Sequence, residues 1–296
     1  MLTDDVQDED CQAPVTTREN STVSHVRLLG RPREAAGATH PGRVRARNED
    51  AFGIEEDLGL SMVADGLGGH AAGDVAARMA IQEILRYLRE ADTDPTPKET
   101  EDDDTAPRLT IGFLAEAVKQ ANKTIHLASR NLPECAGMAT TIAAVLLLRG
   151  FAFLVHVGDT RIYRLRAGKL VRLTADHSMA EEYLRARGSK ADPELVRRTA
   201  GTLTRCLATR ADVRVAAQLD RCAPGDVYLL CTDGLWGPVD DEAIARAITE
   251  ARDLKSAAER LVELANEAGG SDNITAVLVR PLLADSDDPQ GLQASA

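Results

Sequence analysis

Apolar positions along the chain follow two rhythms, one helical and one extended. Between residues 74 and 90, Val75, Met79, Ala80, Ile84, Leu85 and Leu88 recur at three- and four-residue spacing, and Asp74 stands where a cap belongs. This spacing predicts an amphipathic helix. Phe113, Leu114, Ala117, Val118, Ala121, Ile125 and Leu127 predict a second helix over 109–130. From residue 140 the period shortens. The runs 140–148, 151–157, 161–165 and 169–173 are separated by turns such as Arg149-Gly150 and Ala167-Gly168, and predict an antiparallel meander. Residues 174–200 are polar and helical, broken at Gly188 and Pro193. Short strands are predicted over 201–207 and 213–218, a buried strand over 226–232, helices over 240–251 and 256–268, and a closing strand over 273–281.

Helices and strands in this order predict an α/β fold of the α+β kind. Two stacked, mostly antiparallel sheets form a central β-sandwich, and helices outside cover the remaining apolar faces. One domain is expected over 35–283. It includes an acidic loop at 91–107 and a flap at about 178–200, between disordered tails at 1–34 and 284–296.

Charge sharpens this division. The net charge is −12, and residues 1–20 and 90–104 together account for all of it, so the folded body is expected to be close to neutral. Aromatics make up 3% of the chain and no basic stripe interleaves with them, which argues against nucleic-acid binding. No apolar run reaches the ~20 residues of a membrane helix. The first residues are acidic and polar, unlike a secretory signal. Cys11, Cys135, Cys206, Cys222 and Cys231 are odd in number with no Cys-x-x-Cys spacing, as expected of a cytoplasmic protein.

The candidate chemistry lies at strand ends. Leu60-Ser61-Met62-Val63-Ala64 runs into Asp65-Gly66, and Val227 to Thr232 runs into Asp233-Gly234. Asp272 precedes the last strand, and Asp159 sits between two apolar strands. Four carboxylates at strand ends are expected to meet at one edge of the sandwich. All-oxygen ligands favour Mg²⁺ or Mn²⁺ over zinc. Two such ions about 4 Å apart share a bridging water and lower its pKa. Arg45 supplies a bidentate grip for a phosphate ester, and Glu49 and Asp50 stand ready to hold metal-bound waters.

Five motifs carry a resemblance. They are Arg45-Ala46-Arg47-Asn48-Glu49-Asp50, Ala64-Asp65-Gly66-Leu67-Gly68-Gly69-His70, Gly158-Asp159-Thr160-Arg161, Thr232-Asp233-Gly234-Leu235-Trp236 and Ser271-Asp272-Asn273-Ile274-Thr275. In this order, over about residues 35–281, they resemble the metal-dependent Ser/Thr protein phosphatases of type 2C in their bacterial form. The resemblance implies that Asp65 bridges two metals. Asp233 and Asp272 complete the first site and the Gly66 carbonyl serves the second. Arg45 binds the substrate phosphate, and Asp159 matches a position that helps hold a third ion. It further implies in-line attack by a metal-bridging hydroxide on phosphoserine or phosphothreonine. The expected partners are phosphorylated proteins and Ser/Thr kinases, and the enzyme is expected to act as a monomer. Leu67 stands where many eukaryotic members carry a general-acid His, which leaves His70 as the acid candidate. Asp192 is the flap's candidate for the third ion. His126 and His156 are expected to be structural, and Trp236 to pack.

Rival phosphatase chemistries lack their residues. No Cys is followed six positions later by Arg, as a Cys-dependent phosphatase requires. Asp92-Thr93-Asp94-Pro95-Thr96 matches an aspartyl-phosphatase motif in letters, but follows a helix instead of a strand. Two alternatives remain, a catalytically weak type 2C fold that binds phosphoproteins as a regulator and a phosphatase of a small metabolite.

Overall fold

The computed structural model describes residues 24–28, 31–67, 72–92 and 105–281. In chain order, β1 (Ser24–Leu28) and β2 (Arg31–His40) precede β3 (Ala51–Glu55), β4 (Leu60–Ala64) and the short β5 (Gly66–Leu67). Helices α1 (Gly73–Asp92) and α2 (Thr105–Asn131) follow. The meander is β6 (Ala139–Thr140), β7 (Ile142–Leu148), β8 (Phe151–Val157), β9 (Arg161–Arg166) and β10 (Lys169–Arg172). Then come α3 (Met179–Arg187), α4 (Pro193–Thr199), β11 (Ala216–Arg221) and β12 (Val227–Cys231). The one-turn α5 (Asp233–Trp236), α6 (Asp241–Glu250), α7 (Leu254–Glu267) and β13 (Ile274–Pro281) complete the chain.

Two antiparallel sheets stack. One runs β1-β2-β13-β12-β9-β10 and the other β11-β8-β7-β4-β3. Alternation along each central strand explains why. In β12, Tyr228 and Leu230 point between the sheets, while Val227, Leu229 and Cys231 point outward onto α6 and α7. In β7, Ala143, Val145 and Leu147 point inward, while Ile142 and Ala144 meet α1 and α2. A strand buried on both faces reads as a continuous apolar run, and a helix layer on each side is what buries the second face. The result is the helix-sheet-sheet-helix sandwich expected from the sequence.

Several boundaries differ. Strands begin at residue 24, upstream of the boundary read at 35, because β2 pairs with β13 over eight positions from His40↔Ile274 to Arg33↔Pro281. The run at 140–148 is interrupted at Thr141, and α1 starts at Gly73, so Asp74 lies in its first turn and bonds Arg78. Residues 201–207 make only single bridges, Ser178↔Leu203 and Thr140↔Leu207, and the strand read at 213–218 is shifted to β11. α2 starts within the stretch read as acidic loop, and residues 93–104, 1–23 and 282–296 lie outside the described residues. The flap stretch carries α3, capped by Ser178, and α4, capped by Asp192.

At the end of the sandwich remote from the Asp-Gly turns, Arg164 and Asp220 tie the two sheets together at 2.7 Å, and the Tyr228 hydroxyl donates to Asp220 at 2.6 Å. Arg164 Nε has no partner and is buried. Asp220→Ala therefore leaves the Arg164 guanidinium without its carboxylate and the Tyr228 phenol with only the Cys222 thiol. The expected cost is about 3 kcal/mol, or a fall in Tm of roughly 6–10 °C by calorimetry, with turnover per folded molecule unchanged.

Candidate active site

Register brings the distant carboxylates together. Cys231 at the end of β12 pairs with Ala276 near the start of β13 and with Arg161 at the start of β9. Ile274 pairs with His40 at the end of β2. In the other sheet, Val63 pairs with Ala143 at the start of β7, and Ile142 with Val157 at the end of β8. Asp65, Asp159, Asp233, Asp272 and the 41–50 loop thus share one edge of the sandwich. There Arg45, Arg47, Glu49, Asp65, Gly66, Asp233, Asp272 and Asn273 line a cleft of about 460 Å³.

Two glycines permit this convergence. A Cβ on Gly66 would fall 2.2 Å from the Gly73 carbonyl, and one on Gly234 would fall 1.9 Å from that of Asn273. Any side chain at either position would drive the loops apart. The loops are then tied by hydrogen bonds. Asn273 Nδ2 donates to the carbonyls of Pro41 (2.9 Å) and Arg47 (2.8 Å), and its Oδ1 accepts from Glu49 N. Asp65 N donates to Thr141 Oγ1 at 3.0 Å, while Thr140 Oγ1 and Thr141 N donate to its carbonyl. Sequence reasoning missed Asn273, Thr140 and Thr141, whose partners lie between 75 and 232 residues away in the chain.

Asp50 is gripped on one side only. Its Oδ2 accepts from Thr232 Oγ1 (2.9 Å) and Thr275 Oγ1 (2.6 Å), while its Oδ1 is buried with no partner. Burial, more than neighbouring charge, raises its carboxyl well above the ordinary range against the pull of the two threonines. Asp65 is raised by burial and then by Asp50, Asp233, Asp159 and Asp272. Burial and Asp272 raise Asp233, which also shares a hydrogen bond with Asp65. Among the described residues no third acidic, His or Cys side chain joins them at coordination spacing.

Arg45 is exposed, and its Nη2 donates to Asp272 Oδ2 at 2.8 Å. Glu49 lines the cleft and its carboxyl is raised by burial and by Asp74. His70 lies outside the described residues.

Asp159 sits one turn over, beside the cleft. Its carbonyl accepts from Trp236 Nε1 at 3.1 Å, and the Arg161 guanidinium lies 3.4 Å over the Trp236 ring while forking onto Asp176. Its predecessor Gly158 donates to His177 Nδ1 at 3.0 Å. Burial, with His156 stacked at 4.5 Å, pushes His177 down to about 3, so the ring is neutral and free to accept. Asp159 itself is pushed up to about 7, by burial first and then by Asp233. His156 bonds the Ala175 carbonyl and His126 that of Ala208, and both are structural. Asp192 spends its side chain capping α4.

The donor set suits hard divalent cations. It is all oxygen, its acids raise one another's pKa, and one buried carboxylate oxygen points at nothing that neutralises it.

Comparison with known proteins agrees with this geometry. Residues 36–279 match the family model described as Protein phosphatase 2C. The Serine/threonine phosphatase stp of Listeria monocytogenes serotype 4b is 32% identical over 244 residues, which is 81% of this chain and 93% of that protein. Serine/threonine protein phosphatase PstP of Mycobacterium tuberculosis is 33% identical over 261 residues, which is 88% of this chain but 47% of that protein. The chain therefore spans about half the length of that relative. The crystal structure of the PstP catalytic domain in complex with two manganese ions superposes with a TM-score of 0.71 at 32% identity, covering 85% of this chain and 99% of that one.

Proposed function

Because the chain belongs to the protein phosphatase 2C family, and is thus a phosphatase, we propose that it removes phosphate from phosphoserine and phosphothreonine of proteins with two Mn²⁺ or Mg²⁺ ions at the Asp65 edge. The observation that carries this is the gathering of Asp65, Asp233, Asp272 and Arg45 on one cleft from four separate stretches of chain. Asp65 shares a hydrogen bond with Asp233 and feels the charges of Asp50, Asp159 and Asp272, so it would bridge the ions. Asp233 and Asp272 would complete one site and the Gly66 carbonyl would face the other. Bound ions would supply Lewis-acid activation of water and neutralise charge on the phosphoryl oxygens.

The chain's own residues do the rest. Arg45 has one donor on Asp272, and the guanidinium keeps others for two phosphate oxygens. Asn273 fixes the Arg45 loop beside Asp272, and Gly66 N donates to the Glu49 carbonyl of that loop, so grip and ligands share one frame. Asp50, locked through Oδ2 by Thr232 and Thr275, keeps Oδ1 unpartnered to orient water, and Glu49 does the same from the cleft wall. Asp159 would hold a further ion, and His70 would serve as acid to the leaving oxygen.

We place the protein in the cytoplasm as a monomer that reverses a Ser/Thr kinase. Among the described residues no helix is long and apolar enough to cross a membrane, and Cys206, Cys222 and Cys231 are free thiols. A phosphothreonine peptide assayed with Mn²⁺, with EDTA, and with EDTA followed by excess Mn²⁺ tests the reading. Activity is expected to vanish in EDTA and to return with Mn²⁺. Undiminished hydrolysis in EDTA would overturn the metal-dependent mechanism.

A further inference from the structure

Among the described residues three that are not glycine hold a positive φ, namely Arg149, Ala167 and Ala208. Arg149 and Ala167 each precede a glycine in a two-residue hairpin turn, where left-handed backbone is required. Ala208 has no such reason. It stands at φ 77°, buried, in the loop between Leu207 and β11. An L-residue in that region is strained, and it stays there only where its surroundings over-determine it.

Helix α2 supplies the constraint. Asn122 is fully buried, and its Oδ1 accepts from Ala208 N at 2.9 Å. Its Nδ2 donates to the carbonyls of Arg210 (3.0 Å) and Ala211 (3.2 Å). One turn further along, His126 Nδ1 donates to the Ala208 carbonyl at 2.6 Å. Both backbone groups of the strained residue are thus gripped from one face of one helix.

The elbow bears on the active-site edge through its neighbour. Leu207 N donates to the Thr140 carbonyl at 2.7 Å, and Thr140 N returns to the Leu207 carbonyl at 3.4 Å. Thr140 also pairs with Gly66, and its hydroxyl donates to the Asp65 carbonyl at 2.8 Å. Leu207 therefore backs the short β5-β6 ribbon that carries the Asp65-Gly66 turn. Neither Asn122 nor His126 lines the cleft.

We propose that Ala208 is a strained elbow, clamped by Asn122 and His126, that positions the Asp65-Gly66 turn for the metals. Asn122 is then a positioning residue, acting on the reaction only through the backbone it holds. The proposal rests on the phosphatase reading above for what that turn carries. Without the clamp, Ala208 relaxes toward negative φ, which rotates Leu207 away from Thr140 and removes the backing of the Asp65 carbonyl. Glycine at 208 reaches φ 77° without a Cβ penalty, so it keeps the elbow bent when the clamp is gone.

The test compares the full-length wild type, Asn122→Ala, Ala208→Gly and the double variant. Hydrogen exchange of the Leu207 and Thr141 amides in metal-free protein reads the backing, since Thr141 N also donates to the Asp65 carbonyl. Titration calorimetry reads Mn²⁺ affinity, and p-nitrophenyl phosphate at saturating Mn²⁺ reads kcat and KM. Ala208→Gly alone is expected to match the wild type. Asn122→Ala should exchange both amides faster, bind Mn²⁺ roughly tenfold more weakly and lose roughly tenfold in kcat with KM little changed. The double variant should recover most of all three losses. His126→Leu should show the same pattern at smaller amplitude, again relieved by Ala208→Gly, and it decides the matter if Asn122→Ala does not fold. A glycine that rescues nothing, or a lower melting temperature with unchanged Mn²⁺ affinity and kcat, would mean that Asn122 serves the core alone, and overturns the elbow. A wild type that neither binds Mn²⁺ nor hydrolyses phosphate overturns the phosphatase reading instead, and the exchange rates still decide whether the elbow backs the Asp65 turn.

Discussion

Asp65→Asn is expected to lower turnover on the order of 10³-fold or more and, in the metal-free protein, to raise the melting temperature. The opposite signs follow from one fact. Asp65 is crowded by burial and by the charges of Asp50, Asp233, Asp159 and Asp272, so its ionised form costs stability when no cation is present. Asparagine keeps the shape and removes the charge, which is worth about 1 kcal/mol, or roughly 2–4 °C. With Mn²⁺ the order should invert, since the variant has lost the group that spans both ions. Calorimetry reads the melting shifts. Emission of Trp236, the one tryptophan, reads metal loading because its Nε1 holds the Asp159 carbonyl. A carboxylate that merely caps the Gly66 turn would give the reverse, namely a less stable variant with unaltered response to Mn²⁺.

The same crowding sets a pH dependence. The folded-state pKa of Asp159 is pushed up to about 7, above its unfolded value near 3.9. A raised carboxyl binds its proton more tightly when folded. Its contribution to stability is complete below about pH 4 and is lost as pH climbs through 7. The raised Asp50, Asp65 and Asp233 act in the same direction. Metal-free protein should therefore melt at progressively lower temperature between pH 5 and 8, and saturating Mn²⁺ should flatten the slope.

The sandwich was legible because burial on both faces leaves continuous apolar runs such as Val227 to Cys231 and Ile142 to Leu148. Asp65, Asp159 and Asp233 were legible because each ends an apolar run with a charge beside glycine, and Asp272 because it stands just before one. What the sequence concealed depends on contacts across the whole chain. β2 is Arg, Pro, Ala and Gly with hardly a β-former, and is a strand because β13 supplies its partners. The hydroxyls of Thr232 and Thr275 that hold Asp50, and the amide of Asn273 that knits the 41–50 loop to the start of β13, are ordinary polar letters until register sets them opposite one another.

Arg45→Ala is expected to raise KM for a phosphopeptide by roughly 10- to 100-fold while lowering kcat much less. That range matches loss of charge-assisted bonds worth about 1.5–3 kcal/mol that bind ground state and transition state alike. Arg45→Lys should recover part of it, since an ammonium restores the charge but not the two-pronged grip. The ion pair with Asp272 offers a competing role for Arg45, as a clamp that aims a metal ligand. Exposure argues against the clamp. The Arg45 side chain is 55% and that of Asp272 36% accessible, and pairs that open to water hold little free energy. A phosphate can draw the guanidinium away at small cost. Metal affinity separates the two roles. If Arg45 serves the phosphate, removing it frees Asp272 from a competing cation and Mn²⁺ binds as tightly as before or more so. If Arg45 aims the ligand, Mn²⁺ affinity falls and KM for the peptide stays put, which would sink the phosphate role.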